Sequence, residues 1–226
     1  MVADGMVTAS TIGLWLSHAQ DELTAEADHL SALDAALGDG DHGTNMRRGF
    51  RAVGAALAGH PRASSPGELL MLAGKTILAT VGGASGALWG LALRRAGRVL
   101  GDGSEVDGLA LANALDAMVD AVMELGQTSA GDKTMLDALI PAASAFREAF
   151  EATGSLEVAG AAAARAARAG ADATAHMEAR KGRASFMGAR SLGHQDPSAN
   201  STAIVFASLA RALAKPLNGI DIDHAT

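Results

Sequence analysis

Leucine returns every seven residues near the start of the chain, at Leu16, Leu23, Leu30 and Leu37, with Trp15, Ala19, Ala27 and Leu33 between them. That spacing lays an apolar stripe along one face of a helix, whereas a half-buried strand would need strict alternation. It predicts a long amphipathic first helix ending at Gly38. A second run over 44–57 stops before Gly59 and Pro61, where glycine and proline break the pattern. Ser65-Pro66-Gly67-Glu68 joins a capping box to a proline at the first helical position, opening a helix that runs to about Thr80 and is closed by Gly82 and Gly83. Further apolar-periodic runs cover 84–99, 107–125, 132–150, 155–180 and 200–213, about eight helices in all. Pro141, inside the sixth, is expected to kink it by removing an amide donor and crowding the preceding turn.

Gly/Asp/Ser-rich joints at 38–43, 82–86, 126–132 and 183–198 fall at alternate helix ends. In an antiparallel up-down arrangement alternate ends gather at one mouth. Composition supports helices over sheets, since aromatics are 3% of the chain, tyrosine is absent and alanine and leucine dominate. With 226 residues, 49% of them hydrophobic, the chain can bury a substantial core, and no seam divides it. The expectation is an all-α fold over 1–226 as a single domain, with flexible ends at 1–7 and 217–226.

The lack of cysteine removes disulfides, thiolate metal sites and cysteine nucleophiles together. No apolar run approaches the length of a membrane span, and residues 1–10 lack the basic flank and apolar stretch of a signal peptide. These features predict a cytoplasmic, soluble protein. A formal charge of −7 argues against a nucleic-acid binder, which needs a basic face.

Asp34, Asp39 and Asp41 lie where the first helix gives way to a glycine turn. Three carboxylates so placed repel one another unless cations intervene, and magnesium takes carboxylate oxygens while completing its shell with phosphates and water. A solvated acidic loop is the plain alternative. Asp39-Gly40-Asp41 begins like a calcium loop, but the twelfth position is Phe50 rather than a bidentate glutamate. Gly38-x-Gly40-x-x-Gly43 matches the dinucleotide fingerprint in letters only, because it follows a helix and carries aspartates where pyrophosphate would sit.

Val81-Gly82-Gly83-Ala84-Ser85-Gly86 opens a helix, so its bare amides and the Ser85 hydroxyl can cradle a phosphate, or serve only as a cap. It lacks the lysine of a P-loop. In the polar loop 126–135, Asp132 can cap and Gly131 can turn. The segments 179–183 and 188–197 supply cations suited to phosphate or to a protein partner, with a solvated charged face as the alternative. His42 follows the aspartates directly and can meet phosphate or base, whereas His18, His29, His60 and His176 have no ligand partner by spacing. The nine methionines read as packing material.

Four motifs occur in order: Leu33-Asp34-x-x-Leu37-Gly38-Asp39-Gly40-Asp41-His42-Gly43-x-Asn45-Met46, Gly82-Gly83-Ala84-Ser85-Gly86, Gly131-Asp132-Lys133-Thr134-Met135-Leu136-Asp137, and Gly182-Arg183-Ala184-Ser185-x-x-Gly188-x-Arg190-Ser191-x-Gly193-His194-Gln195-Asp196-Pro197. Together they resemble the dihydroxyacetone kinase L subunit family over nearly the whole chain. The resemblance implies a barrel of eight antiparallel helices with ADP or ATP at one mouth, held through two magnesium ions by Asp34, Asp39 and Asp41. It implies nucleotide contacts from His42, Gly43, Thr44 and Asn45, from Ala84 and Ser85, and from Gly126, Met135, Arg183, Asp196 and Pro197. Met135 would pack on adenine and Arg183 would offset charge that magnesium leaves. Ser198 stands where the family has glycine.

The resemblance further implies a K subunit that binds dihydroxyacetone and an M subunit of the phosphoenolpyruvate phosphotransferase system that rephosphorylates ADP retained on this chain. His42 and Asn45 favour that branch over ATP-using keto-sugar kinases. Family members also engage a transcription factor, which would make the chain a nucleotide-dependent regulator.

Overall fold

The computed structural model describes residues 5–60 and 65–214, and within them the chain is almost entirely helical. The helices are α1 Ala9–Ala25, α2 Ala27–Ala35, α3 His42–Ala58, α4 Pro66–Thr80, α5 Gly83–Leu100, α6 Gly108–Gly126, α7 Leu136–Thr153, α8 Leu156–Ala173 and α9 Pro197–Leu213. Two three-residue strands, β1 Met6–Thr8 and β2 Glu105–Asp107, pair antiparallel with Val7 opposite Val106. Met6 and Val7 therefore belong to the folded part, and Val7 is fully buried, although flexibility is the sequence expectation there. The remainder of that expectation, 1–4 and 217–226, lies outside the described residues, as does Pro61.

The seven-residue leucine stripe is buried as expected, but Glu26, at φ −91° and ψ 6°, divides the helix into α1 and α2. Thr8 and Thr11 form a reciprocal capping box at the start of α1. Ser65 and Glu68 form another at α4, which runs over the range its sequence predicts. Pro141 sits inside α7 without ending it, so the helix continues to Thr153. The eighth helix stops at Ala173, short of the expected 180. Thr174 there donates its hydroxyl to the Ala171 carbonyl and accepts the amide of Asp196, which ties the turn to the start of α9.

Each helix packs on its chain neighbour, with α1 meeting α3 and α9 returning to α1, so the contacts run in a closed circuit. All nine contribute buried side chains to one hydrophobic core. Trp15 on α1 donates its indole N–H to the Val205 carbonyl on α9 at 2.9 Å, fastening the two ends of the circuit. Phe50 on α3 meets Trp89 on α5 edge to face at 6.4 Å. Among the described residues no helix is long and apolar enough to cross a membrane.

Candidate functional site

The acidic joint is built around Asp34. Its main-chain carbonyl accepts the amides of Leu37 at 2.9 Å and Gly38 at 2.5 Å, closing the end of α2. Its carboxylate accepts the amides of Asp41 at 2.9 Å and His42 at 3.1 Å, so it shapes the start of α3 instead of capping the helix that carries it. Gly40, at φ +76°, reverses the chain between these anchors. One oxygen from each of Asp34, Asp39 and Asp41 then lies within 4.8 Å of the others. Mutual repulsion at that range calls for positive charge, and Arg183 supplies some through an ion pair to Asp39. The all-oxygen donor set, open to solvent and half-satisfied by one guanidinium, fits a hard divalent cation such as magnesium.

Positive helix ends surround this cluster. The first turns of α3, α5 and α9 and the residue preceding α7 all border one cavity of about 520 Å³. The N-cap position of α5, Gly82, makes no side-chain cap, so amides at that end remain available to an anion, whereas the first amide of α3, that of His42, is taken by the Asp34 carboxylate. Asn45 faces the cavity and accepts a bond from Arg48 at 2.8 Å, while Arg48 Nε donates to the Thr80 carbonyl at 2.9 Å.

His42 is 6% exposed, and its Nε2 lies 3.0 Å from Ser201 Oγ. Ser201 already donates its proton to the Ser198 carbonyl at 3.0 Å, so it accepts from His42, and the ring carries its proton on Nε2. Nδ1, 3.4 Å from Ser85 Oγ, is left to accept that hydroxyl's proton. Burial holds the His42 pKa below its usual value against the raising influence of Asp34 and Asp41, so the ring is neutral at pH 7. Ser85, expected to give its hydroxyl to phosphate, thus turns it toward His42, and the α5 amides are the unengaged donors.

Asp196 caps α9 by accepting the Ala199 amide at 2.7 Å and the Ser198 hydroxyl. Burial pushes its pKa up to about 6, with those two bonds and Lys133 opposing. In the loop before α7, Asp132 does not cap the helix. It accepts from the Thr128 hydroxyl and the Ser129 amide, while Asp137 takes the amides of Gly131 at 2.5 Å and Thr134 at 2.7 Å.

Asp34, Asp39, Asp41, His42, Asn45, Ala84, Ser85, Gly126, Met135, Arg183, Asp196 and Pro197 all line the cavity. Gly43 and Thr44 do not. Gly43 faces α2 so closely that a Cβ there would stand 1.8 Å from the Ala27 carbonyl oxygen, and Thr44 points to solvent. Met135 is 1% exposed, a core residue whose edge reaches the cavity. Residues outside the sequence-derived site set also border it, notably Arg48, Lys133 of the third motif, and Ser198, the position where the family has glycine. Arg48 follows Asn45 at helical spacing and was legible as a neighbour on the same face. Lys133 lay within a motif, but nothing local assigned it a role.

The fold and site define an all-helical protein that gathers helix N-termini and a carboxylate cluster at one cavity. Residues 36–211 match the DAK2 domain, and the chain belongs to that family. It is 38% identical over 88% of its length, and 94% of the relative's, to the PEP-dependent dihydroxyacetone kinase, ADP-binding subunit DhaL, of Escherichia coli. It is 41% identical over 82% of its length to an L-erythrulose 1-kinase of Mycolicibacterium smegmatis, spanning 32% of that longer chain. Among solved structures it resembles the dihydroxyacetone kinase of C. freundii in complex with AMP-PNP and Mg2+, with a TM-score of 0.66, 29% identity and coverage of 88% of this chain and 33% of that one.

Proposed function

We propose that the chain is the nucleotide-binding L subunit of a dihydroxyacetone kinase, a phosphoryl carrier whose bound ADP is rephosphorylated by an M subunit and whose phosphoryl group passes to dihydroxyacetone on a K subunit, giving dihydroxyacetone phosphate. The observation that carries this reading is the cluster of Asp34, Asp39 and Asp41 sharing one cavity with the uncapped N-terminus of α5. On this reading residues 1–226 work as one nucleotide-binding domain, in the cytoplasm.

Asp34, Asp39 and Asp41 would hold two magnesium ions, which would supply positive charge to neutralise phosphate. The amides of Ala84 and Ser85 receive phosphate oxygens at the positive end of α5, and His42 and Asn45 approach from α3. Gly126, Met135, Asp196 and Pro197 form the remaining wall, and Arg183 lies on the mouth side beside Asp39. Phosphoryl transfer depends on alignment and charge neutralisation, so this chain needs no general base of its own. The acceptor hydroxyl is that of dihydroxyacetone bound on the K subunit.

The identity to an L-erythrulose 1-kinase favours a second reading, in which the same site serves an ATP-using kinase for a related keto-sugar. One experiment separates them. The protein is loaded with radiolabelled ADP and given K subunit, dihydroxyacetone, M subunit and the upstream phosphoenolpyruvate components. Many product molecules formed per retained ADP are expected. Product that requires free ATP, with labelled ADP leaving at each turnover, would overturn the carrier assignment and support the second reading.

A further inference from the structure

Lys133 is 1% exposed, yet nothing in the phosphoryl-carrier reading uses it. Its ammonium donates to three main-chain carbonyls, those of Met177 at 3.0 Å, Ser191 at 2.6 Å and His194 at 2.6 Å. An ammonium has three N–H donors, so all are engaged and none remains for a phosphate, although the side chain borders the cavity. Lys133 therefore differs from a lysine that grips a nucleotide directly. Its φ of +62° is uncommon for a side-chain-bearing residue, which indicates that surrounding bonds hold it in place.

The three carbonyls belong to one segment, 177–194, and two of them lie at its opposite ends. Lys133 thus closes the neck of a loop. The loop carries Lys181, Gly182, Arg183 and Ala184 to the cavity, and Arg183 to Asp39. Other fastenings lie on the same side: Arg180 N donates to the Asp132 carbonyl at 3.1 Å, and Ala179 N to Ser191 Oγ at 2.9 Å. Apolar anchorage is weak, since Phe186 is 87% and Leu192 45% exposed. Burial lowers the Lys133 pKa while Asp196 opposes the shift, so the charge is supported by the carbonyls and by one carboxylate beside the cavity.

We propose that Lys133 is a positioning residue for the nucleotide site, closing segment 177–194 so that Arg183 is held at the carboxylate cluster. This rests on the reading of that cavity as a magnesium-ADP site. The alternative is that Lys133 merely fills the interior, and coupling to Arg183 distinguishes the two.

The test measures magnesium-ADP affinity by calorimetry for the wild type, Lys133→Met, Arg183→Met and the double variant, with amide hydrogen exchange on each. Lys133→Met keeps the length of the side chain and removes its donors. It is expected to weaken binding by about tenfold or more, and to add less than about twofold in the Arg183→Met background, because residues acting as a unit are not additive. Exchange should quicken across 178–194 and stay unchanged in α1 and α9. Lys133→Gln, which retains two donors, is expected to fold and to show a smaller loss with the same dependence on Arg183.

Affinity within about twofold of wild type in Lys133→Met, or losses that add fully to those of Arg183→Met, would overturn the proposal. So would loss of helicity in both Lys133 variants, since Lys133 would then hold the fold rather than the site. A wild type that fails to bind magnesium-ADP would instead refute the function reading, and the exchange comparison would still report whether Lys133 closes the loop.

Discussion

Asp39 and Asp41 project from a turn, exposed and without a role in the core, while Asp34 beside them accepts two amides that shape α3. Asp39→Asn and Asp41→Asn are therefore expected to abolish magnesium-dependent ADP binding with helix content unchanged, checked by calorimetry and far-ultraviolet circular dichroism. Asp34→Asn should also lower stability, because its oxygen receives two donors. Asp196 has a different liability. Its folded pKa of about 6 lies above its ordinary 3.8, so the folded protein holds this proton more tightly than the unfolded chain. The resulting stabilisation is complete below the ordinary value and is lost as pH rises through about 6. Asn at 196 can still cap α9 but does not titrate. Relative to Asp196→Asn, the wild type should lose about 2 kcal/mol between pH 4 and 6.5 and little more above that. Urea unfolding of both nucleotide-free proteins across that range gives the comparison.

At the scale of elements, local signals succeeded where a cap or a breaker stands in the sequence. Ser65, Pro66 and Glu68 mark the start of α4 because the capping box uses residues three apart. The break at Glu26 was hidden, since an uninterrupted apolar stripe crosses it and a slight change of backbone angle leaves that stripe facing the core. The end of α8 was hidden for another reason: Thr174 is diverted by the Asp196 amide, 22 residues away. At Gly43, read from its motif as a nucleotide contact, the close approach of α2 was equally hidden. Gly43→Ala would push a methyl into the Ala27 carbonyl. Its expected cost is about 1–3 kcal/mol from overpacking, with α2 and α3 forced apart. Chemical denaturation measures the loss, and a change at the His42 ring, which lies beside it, should appear in its proton NMR signals.

Across the whole molecule, the circuit of helices brings the starts of α3, α5, α7 and α9 to one cavity, so ligand binding there joins segments distant in sequence. A ligand that binds only the folded chain stabilises it by mass action. Magnesium-ADP at a thousandfold excess over its dissociation constant should add roughly 4 kcal/mol, raising the melting temperature of a preparation first shown to be free of nucleotide. A chelator should return the melting temperature to that of the ligand-free protein, as read by a thermal scan with and without each component.

The sequence by itself determined the helical class, the glycine-rich joints and the identity of the three clustered aspartates. Helical period and turn chemistry are properties of residues three to seven apart, and a linear reading captures them. Tertiary structure alone decided that Lys133 would spend its three donors on carbonyls 44, 58 and 61 residues away, and that His42 would give its Nε2 proton to a serine 159 residues on. It also decided that Gly43 would face a neighbouring helix and Ser85 a histidine. Burial obliges such polar groups to find partners, but which partner each finds depends on which surfaces the closing circuit of helices brings within 3 Å.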